Sequence, residues 1–137
     1  MPQSSSSVAE RSTAPGLRVP PPSPARGLFS RRQRARLEEE AARLRRELRR
    51  SEEETERLPD PGDDALRRAR RELDSKICAL VVQRLRAIDE ALDAIAVGDY
   101  GVCIDCDRPI PQRRLELTPW ARRCVACQAA AEEGEAA

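Results

Sequence analysis

Apolar residues recur at helical spacing in two long stretches of the chain that are separated by a short break. In the first stretch they alternate steps of four and three, at Leu37, Ala41, Leu44 and Leu48, then at the weaker Ser51, Thr55 and Leu58. This is the a and d pattern of a coiled coil. It predicts a helix from Ser30, as N-cap, to about Arg57, a rod of roughly 40 Å.

The second stretch predicts a helix that ends at about Val97, because Gly98 suits the position after a helix. Its apolar positions fall on Leu66, Leu73, Ile77 and Leu80 and, after a small phase shift, on Val81, Leu85, Ile88, Leu92 and Ile95. At about 50 Å this helix is expected to be longer than the first and to carry the C-terminal module on its last turns. Cys78 fits either a small buried hydrophobe or a reactive thiol.

The break between the two stretches, residues 58–65, reads LPDPGDDA. Prolines and a glycine stop the first helix and turn the chain. With Asp60 as N-cap and Asp63 at N3, both carboxylates would face the free amides of the second helix, and capping alone would account for them. A short loop makes the helices antiparallel neighbours. The predicted fold is therefore mainly α, a long antiparallel two-helix coiled-coil hairpin over residues 29–98 with an acidic tip at 59–65.

Two Cys-x-x-Cys pairs, Cys103/Cys106 and Cys124/Cys127, follow the second helix with 17 residues between them. Such pairs supply the four thiolates that one structural Zn²⁺ prefers. Two disulfides are a weaker alternative, because a fifth cysteine is left over, and a redox pair lacks its βαβ context. Residues 99–130 are thus predicted to form a zinc module with a C-terminal helix, followed by an acidic tail at 131–137, and Trp120 is expected to pack over the module.

Basic residues in the zinc module either offset the charge of the thiolates, form a solvated basic face or bind a phosphate or a partner. They are Arg108, Arg113, Arg114, Arg122 and Arg123.

Composition limits the remaining possibilities. With one Phe, one Tyr and one Trp against 36% charged residues, the chain has no material for a large globular core. The net charge of +1 argues against a general nucleic-acid binder. Residues 1–28 are rich in proline and serine and predict a disordered tail. The sequence contains no transmembrane run, so a cytoplasmic location is expected.

Together, the residues around the four cysteines closely resemble the C4 zinc finger of the DksA/TraR family of bacterial transcription regulators. The shared positions are Tyr100, Gly101, Cys103, Cys106, Ile110, Arg113, Arg114, Leu115, Pro119, Ala121, Cys124 and Cys127. The Asp-x-x-Asp-x-Ala motif of DksA-type members is also present, as Asp60, Asp63 and Ala65.

The resemblance implies a non-enzymatic protein that binds RNA polymerase directly. A monomer with one structural zinc is expected, because an intramolecular hairpin uses up its own seam. Family members insert the coiled coil into the secondary channel, where the tip remodels promoter open complexes, and they do not read DNA sequence. Related proteins respond to guanosine tetraphosphate, in the stringent response, through basic residues near the zinc end. The corresponding positions here are Ala87, Thr118 and Gln128, which are not cationic, so any such response is expected to be reduced or absent.

A second departure from the family pattern and three alternative functions remain. Residues 1–28 are not expected to supply the N-terminal helix that longer family members pack around the zinc. The first alternative is a Gre-type transcript-cleavage factor, in which Asp60 and Asp63 would hold Mg²⁺. The second is a nucleic-acid binder that uses the Arg108–Arg123 cluster. The third is a coiled-coil adaptor with a different partner.

Overall fold

The computed structural model describes residues 24–57 and 62–136, which form four helices. They are α1 (Pro24–Arg57), α2 (Asp64–Val97), α3 (Gln112–Leu117) and α4 (Val125–Ala136). Extended pairing in these residues is limited to one antiparallel bridge between Val102 and Pro109. The predicted mainly α class, with a hairpin of two long helices and a small C-terminal module, is confirmed. None of the helices in this described part is both long and apolar enough to cross a bilayer.

Helix α1 begins at Pro24, six residues before the predicted start at Ser30. Proline is tolerated in a first helical turn, and Phe29 holds these turns by packing on the zinc module. Ser30 therefore lies inside the helix, and residues 24–28 belong to α1 instead of to a tail. The rest of the predicted tail, residues 1–23, lies outside the described residues. Because α1 and α2 each contain 34 residues, the expectation that α2 would be longer is wrong.

Helix α2 begins one turn later than the sequence suggested, because Asp63 and not Asp60 is its N-cap. Asp63 has extended backbone angles, and its Oδ1 accepts a 2.9 Å hydrogen bond from the backbone N–H of Ala65. Its own carbonyl accepts the first helical bond, from the N–H of Arg67 at 3.0 Å. Asp60 lies outside the described residues. The predicted end is confirmed, since Gly98 adopts a left-handed φ of 86° after Val97.

The zinc half of the hairpin has the predicted apolar seam. Leu37, Ala41 and Leu44 of α1 pack against Ile88 and Ala91 of α2, and all five are buried. The partly buried side chains around them are Val81, Leu85, Leu92 and Ile95. This cluster fixes the register of the two helices near the zinc module.

The tip half of the hairpin differs from the prediction. Leu66, Leu73, Ile77 and Leu80 are between 49% and 66% exposed, so this stripe is not part of the seam. The half-buried positions of α2 there are Arg67, Arg70, Asp74 and Cys78, which continue the phase of Val81 and Leu85. Across from them α1 offers only exposed polar residues after Leu48. The apolar stripe has no apolar partner in α1 and turns to solvent.

Residues 131–136 of the predicted acidic tail form the end of a helix. Helix α4 continues to Ala136, so Glu132, Glu133 and Glu135 lie on its surface. The run of three alanines before them has high helix propensity and carries the helix onward.

Candidate functional site

The first cysteine pair lies in a tight turn closed by backbone hydrogen bonds. The N–H of Ile110 donates to the carbonyl of Gly101 at 2.7 Å, and the N–H of Cys103 donates to the carbonyl of Arg108 at 2.9 Å. Gly101 has a φ of 87°, and an added Cβ would lie 3.3 Å from Leu115 Cδ1. The left-handed φ favours glycine at this position, and an added Cβ would also force Leu115 Cδ1 to shift by a small distance. The turn brings Cys103 and Cys106 to the same side of the chain.

The second pair lies at the start of α4. Cys124 immediately precedes Val125, and its carbonyl accepts a 2.9 Å bond from the N–H of Gln128. Two bonds join this pair to the first: the Cys124 N–H points at Cys103 Sγ at 3.3 Å, and the Ile104 N–H donates to the Arg122 carbonyl at 3.0 Å. The free N–H groups of a helix N-terminus also favour thiolates.

The four cysteines meet at one point, as the sequence predicted. Their sulfurs all lie within 4.8 Å of one another, and those of Cys106 and Cys124 are 3.8 Å apart. Tetrahedral zinc with bonds of about 2.3 Å requires sulfurs about 3.8 Å apart. Cys103 is fully buried and the other three are half-buried, so all four ligand positions are filled by protein. This arrangement fits a structural zinc and leaves no position for substrate.

The protonation of the thiols shows why a cation belongs at this point. Burial would raise the pKa of Cys103, but backbone N–H groups of Cys124, Asp105 and Cys106 outweigh it and lower that pKa to about 6. Hydrogen bonds that the Cys127 thiol donates to the sulfurs of Cys124 and Cys106 stabilise its protonated form and raise its pKa to about 12. Four thiolates therefore coexist only when a divalent cation replaces the protons. The affinity for zinc accordingly decreases as the pH is lowered.

Two of the five zinc-module arginines make structural side-chain contacts, and a third is partly buried. Arg123 pairs with Asp105 at 2.6 Å, and Arg114 Nε donates to the Arg123 carbonyl at 3.2 Å. Arg122 is half-buried, with its Nη1 buried. Arg108 and Arg113 are exposed. The cluster predicted from sequence is therefore divided, and only Arg108 and Arg113 are exposed to solvent.

Aromatic residues attach the zinc module to the hairpin. Tyr100 packs against both apolar clusters, and its hydroxyl donates to the Pro119 carbonyl at 2.8 Å. Burial raises the pKa of Tyr100 to about 12, so this donor stays protonated at neutral pH. Phe29 of α1 packs on the zinc cluster, with its ring centroid 6.5 Å from that of Tyr100. The first turns of α1 are thereby fixed to the module.

Trp120 packs on the hairpin core and not over the zinc cluster, contrary to the prediction. The guanidinium of Arg84, on α2, lies 4.0 Å from the centroid of its ring, which is a cation–π contact. Sequence reasoning missed both Phe29 and Arg84. The scarcity of aromatic residues was the available signal, because a chain with three aromatic residues has few ways to anchor a small module.

The other predicted site lies at the far end of the hairpin. Asp63, Asp64 and Ala65 are exposed at the start of α2, and Asp60 is outside the described residues. With 34 residues in α2, these carboxylates lie about 50 Å from Gly98 and the zinc module. The metal centre and the acidic tip are thus separated by the full length of the rod.

The chain is similar to known proteins both in its zinc module and over most of its length. A family model described as the prokaryotic dksA/traR C4-type zinc finger matches residues 98–133. The structure of transcription factor DksA2 from Pseudomonas aeruginosa is 30% identical in sequence, and the match covers 85% of this chain and 95% of that one with a TM-score of 0.69. The chain belongs to the DksA/TraR family. The predicted family and its four-cysteine structural zinc are confirmed.

Other similar proteins differ in how much of their length is matched. The RNA polymerase-binding transcription factor DksA of Haemophilus influenzae is 30% identical over 81 residues, which are 59% of this chain and 56% of that protein. An uncharacterized protein of Aquifex aeolicus is 37% identical over 105 residues, or 72% of this chain and 70% of that protein. The chain therefore spans little more than half of the named DksA relative.

Proposed function

We propose that this chain is a bacterial transcription regulator that binds RNA polymerase directly and inserts its tip into the secondary channel. Asp60, Asp63 and Ala65 would then lie near the catalytic centre. The proposal rests on one observation, an exposed acidic end about 50 Å from the zinc module, in a chain similar to proteins named for polymerase binding. A stiff helix pair of this length can hold carboxylates deep in a channel while the zinc module stays outside.

The geometry of the tip suits this role. Asp63 uses Oδ1 to cap α2, which leaves Oδ2 to face a partner and fixes the direction of the side chain. Ala65 is exposed and small, so the backbone can approach a surface closely. Carboxylates held near a catalytic Mg²⁺ and nucleic-acid phosphates alter the relative free energies of promoter complexes. A difference of about 1.4 kcal/mol changes their ratio tenfold.

The proposal contains no covalent step. The tip shifts an equilibrium, and the protein acts in the bacterial cytoplasm. It acts as a monomer, because α1 and α2 of one chain fill the buried seam of the zinc half. A guanosine tetraphosphate response is reduced or absent, since Ala87, Thr118 and Gln128 offer no cation to its phosphates. Transcript cleavage is not expected, and assaying RNA release from backtracked complexes separates this protein from a cleavage factor.

The deciding experiment is transcription in vitro by the cognate polymerase from a ribosomal RNA promoter. The variant Asp60→Asn/Asp63→Asn removes both charges, and Asn caps a helix about as well as Asp, so α2 keeps its start. Asp64→Asn is the matched control, because Asp64 is an exposed neighbour outside the motif. Competition with labelled wild-type protein measures docking of all three.

The proposal predicts that wild-type protein and Asp64→Asn change promoter output, while the double variant docks with similar affinity and changes it much less. If the double variant is as active as wild type, the tip is only a helix cap. If none of the proteins docks, the partner is not polymerase.

A further inference from the structure

The first turns of α1 carry an unusual concentration of arginine. Between Pro24 and Leu37 there are five arginines and no acidic residue, and the first acid is Glu38. Four of them have described side chains, all exposed, and we call these four the basic end: Arg31, Arg32, Arg34 and Arg36. The net charge of +1 for the whole chain conceals this local excess.

Helix stability does not explain the basic end. The like charges of Arg32 and Arg36 stand four residues apart on one face, which is unfavourable in a helix. An anion bound beside them would offset this repulsion.

Few acids in the protein compensate these arginines. Arg34 pairs with Glu38 at 3.4 Å in an exposed contact, and Arg36 donates to the neutral Gln33 at 3.1 Å. Among the described residues, no acidic side chain pairs with Arg31 or Arg32. Exposed pairs such as that of Arg34 contribute little, so the arginine remains available to a stronger acceptor.

We propose that the basic end binds the phosphate backbone of duplex DNA without reading its sequence. The guanidinium fork matches phosphate oxygens, and arginine is more weakly hydrated than lysine. Leu28 is the one large exposed apolar side chain in this part of α1, which is too little for the apolar centre of a stable protein interface. The acidic tip is at the opposite end of the rod, where its repulsion of DNA is screened.

The strength of this contact follows from counterion release. Each neutralised phosphate contributes about −0.9 to the slope of log affinity against log salt, so four give a slope of about −3.6. Affinity would then fall about 150-fold between 50 and 200 mM salt. This binding needs no polymerase, so its test is independent of the function proposed above.

The test is fluorescence anisotropy of a labelled duplex without promoter sequence, titrated with full-length zinc-loaded protein across that salt range. The variant is Arg31→Ala/Arg32→Ala. The matched control is Arg49→Ala/Arg50→Ala, an adjacent exposed pair in the same helix with the same charge change. Circular dichroism and zinc content establish that both variants are folded.

The expected result is weaker DNA binding by Arg31→Ala/Arg32→Ala, with a salt slope smaller by about 1.8, and an unchanged slope for the control. The inference is overturned if the two variants lose the same amount, if neither loses any, or if wild type does not bind duplex at low salt. Tighter binding to polyglutamate than to DNA at equal charge would assign the surface to an acidic protein and also overturn it.

Discussion

Replacing Ile88 by alanine should destabilise the hairpin far more than the same truncation at Leu73. The hydrophobic pattern places both residues in the coiled-coil seam, but the structure separates them. Ile88 is 0% exposed and packs against α1, whereas Leu73 is 58% exposed. The two substitutions remove the same number of carbon atoms from the same helix, so they form a matched pair.

The expected sizes follow from burial. Ile88→Ala removes three buried carbons at about 0.8 kcal/mol each, or about 2.4 kcal/mol of transfer free energy. The cavity it leaves among Leu37, Leu44 and Ala91 adds to this, which gives a total of about 3–4 kcal/mol. Leu73 has about 40% of its surface buried, so the same arithmetic limits its loss to about 1 kcal/mol.

The measurement is urea unfolding followed by circular dichroism at constant zinc concentration. With an m-value of roughly 1.5 kcal/mol per molar, Ile88→Ala should lower the midpoint by roughly 2 M and Leu73→Ala by well under 1 M. Comparing the m-values shows whether each variant still unfolds in one transition.

A midpoint shift for Leu73→Ala as large as that for Ile88→Ala would refute the reasoning. It would mean that the tip-half stripe is packed in solution, either against α1 or against another molecule. Sedimentation at several protein concentrations then distinguishes the two cases.

Three further predictions concern the zinc end. A chelator should unfold the module, since structural zinc contributes on the order of 10 kcal/mol, and an unchanged tryptophan emission after zinc loss would contradict this. Gly101→Ala should destabilise the protein by about 1–3 kcal/mol, because Gly101 has a φ of 87° and a Cβ there would contact Leu115. Gly134→Ala, in open space in α4, should stabilise it by about 0.5–1 kcal/mol. Thermal unfolding in excess zinc compares the two variants, and equal melting temperatures would contradict both expectations. Arg84→Ala should cost about 0.5–1 kcal/mol and shift the emission of Trp120, and an identical spectrum would show that the ring contact is not populated.

Features that depend on a few neighbouring residues were predictable from the sequence. The two Cys-x-x-Cys pairs define the metal centre because each pair turns its sulfurs to one side without help from distant residues. Gly98 ends α2 because a left-handed residue can stop a helix wherever it occurs. The family resemblance rests on the same local motifs, and it located the acidic tip.

Features that depend on a choice among equivalent candidates were not predictable. Asp60, Asp63 and Asp64 can each cap a helix, and the extended backbone of Asp63, whose side chain accepts from the Ala65 N–H, makes it the cap. Two apolar stripes on α2 differ by a small phase shift, and which one packs is decided by the residues that α1 offers opposite. The start of α1 was misplaced because Phe29 contacts residues that are distant in sequence.

The two halves of the rod are therefore held by different forces. The zinc half has a buried seam, the metal and the contacts of Phe29, Tyr100 and Trp120. The tip half depends on hydrogen bonds within each helix and on exposed ion pairs such as Glu72 with Lys76 at 3.0 Å, which contribute a few tenths of a kcal/mol each. Because little of the folding free energy resides there, residues of the tip half can be replaced without unfolding the protein. The surface residues of the tip half, including the exposed apolar stripe, can therefore vary to suit contact with a partner.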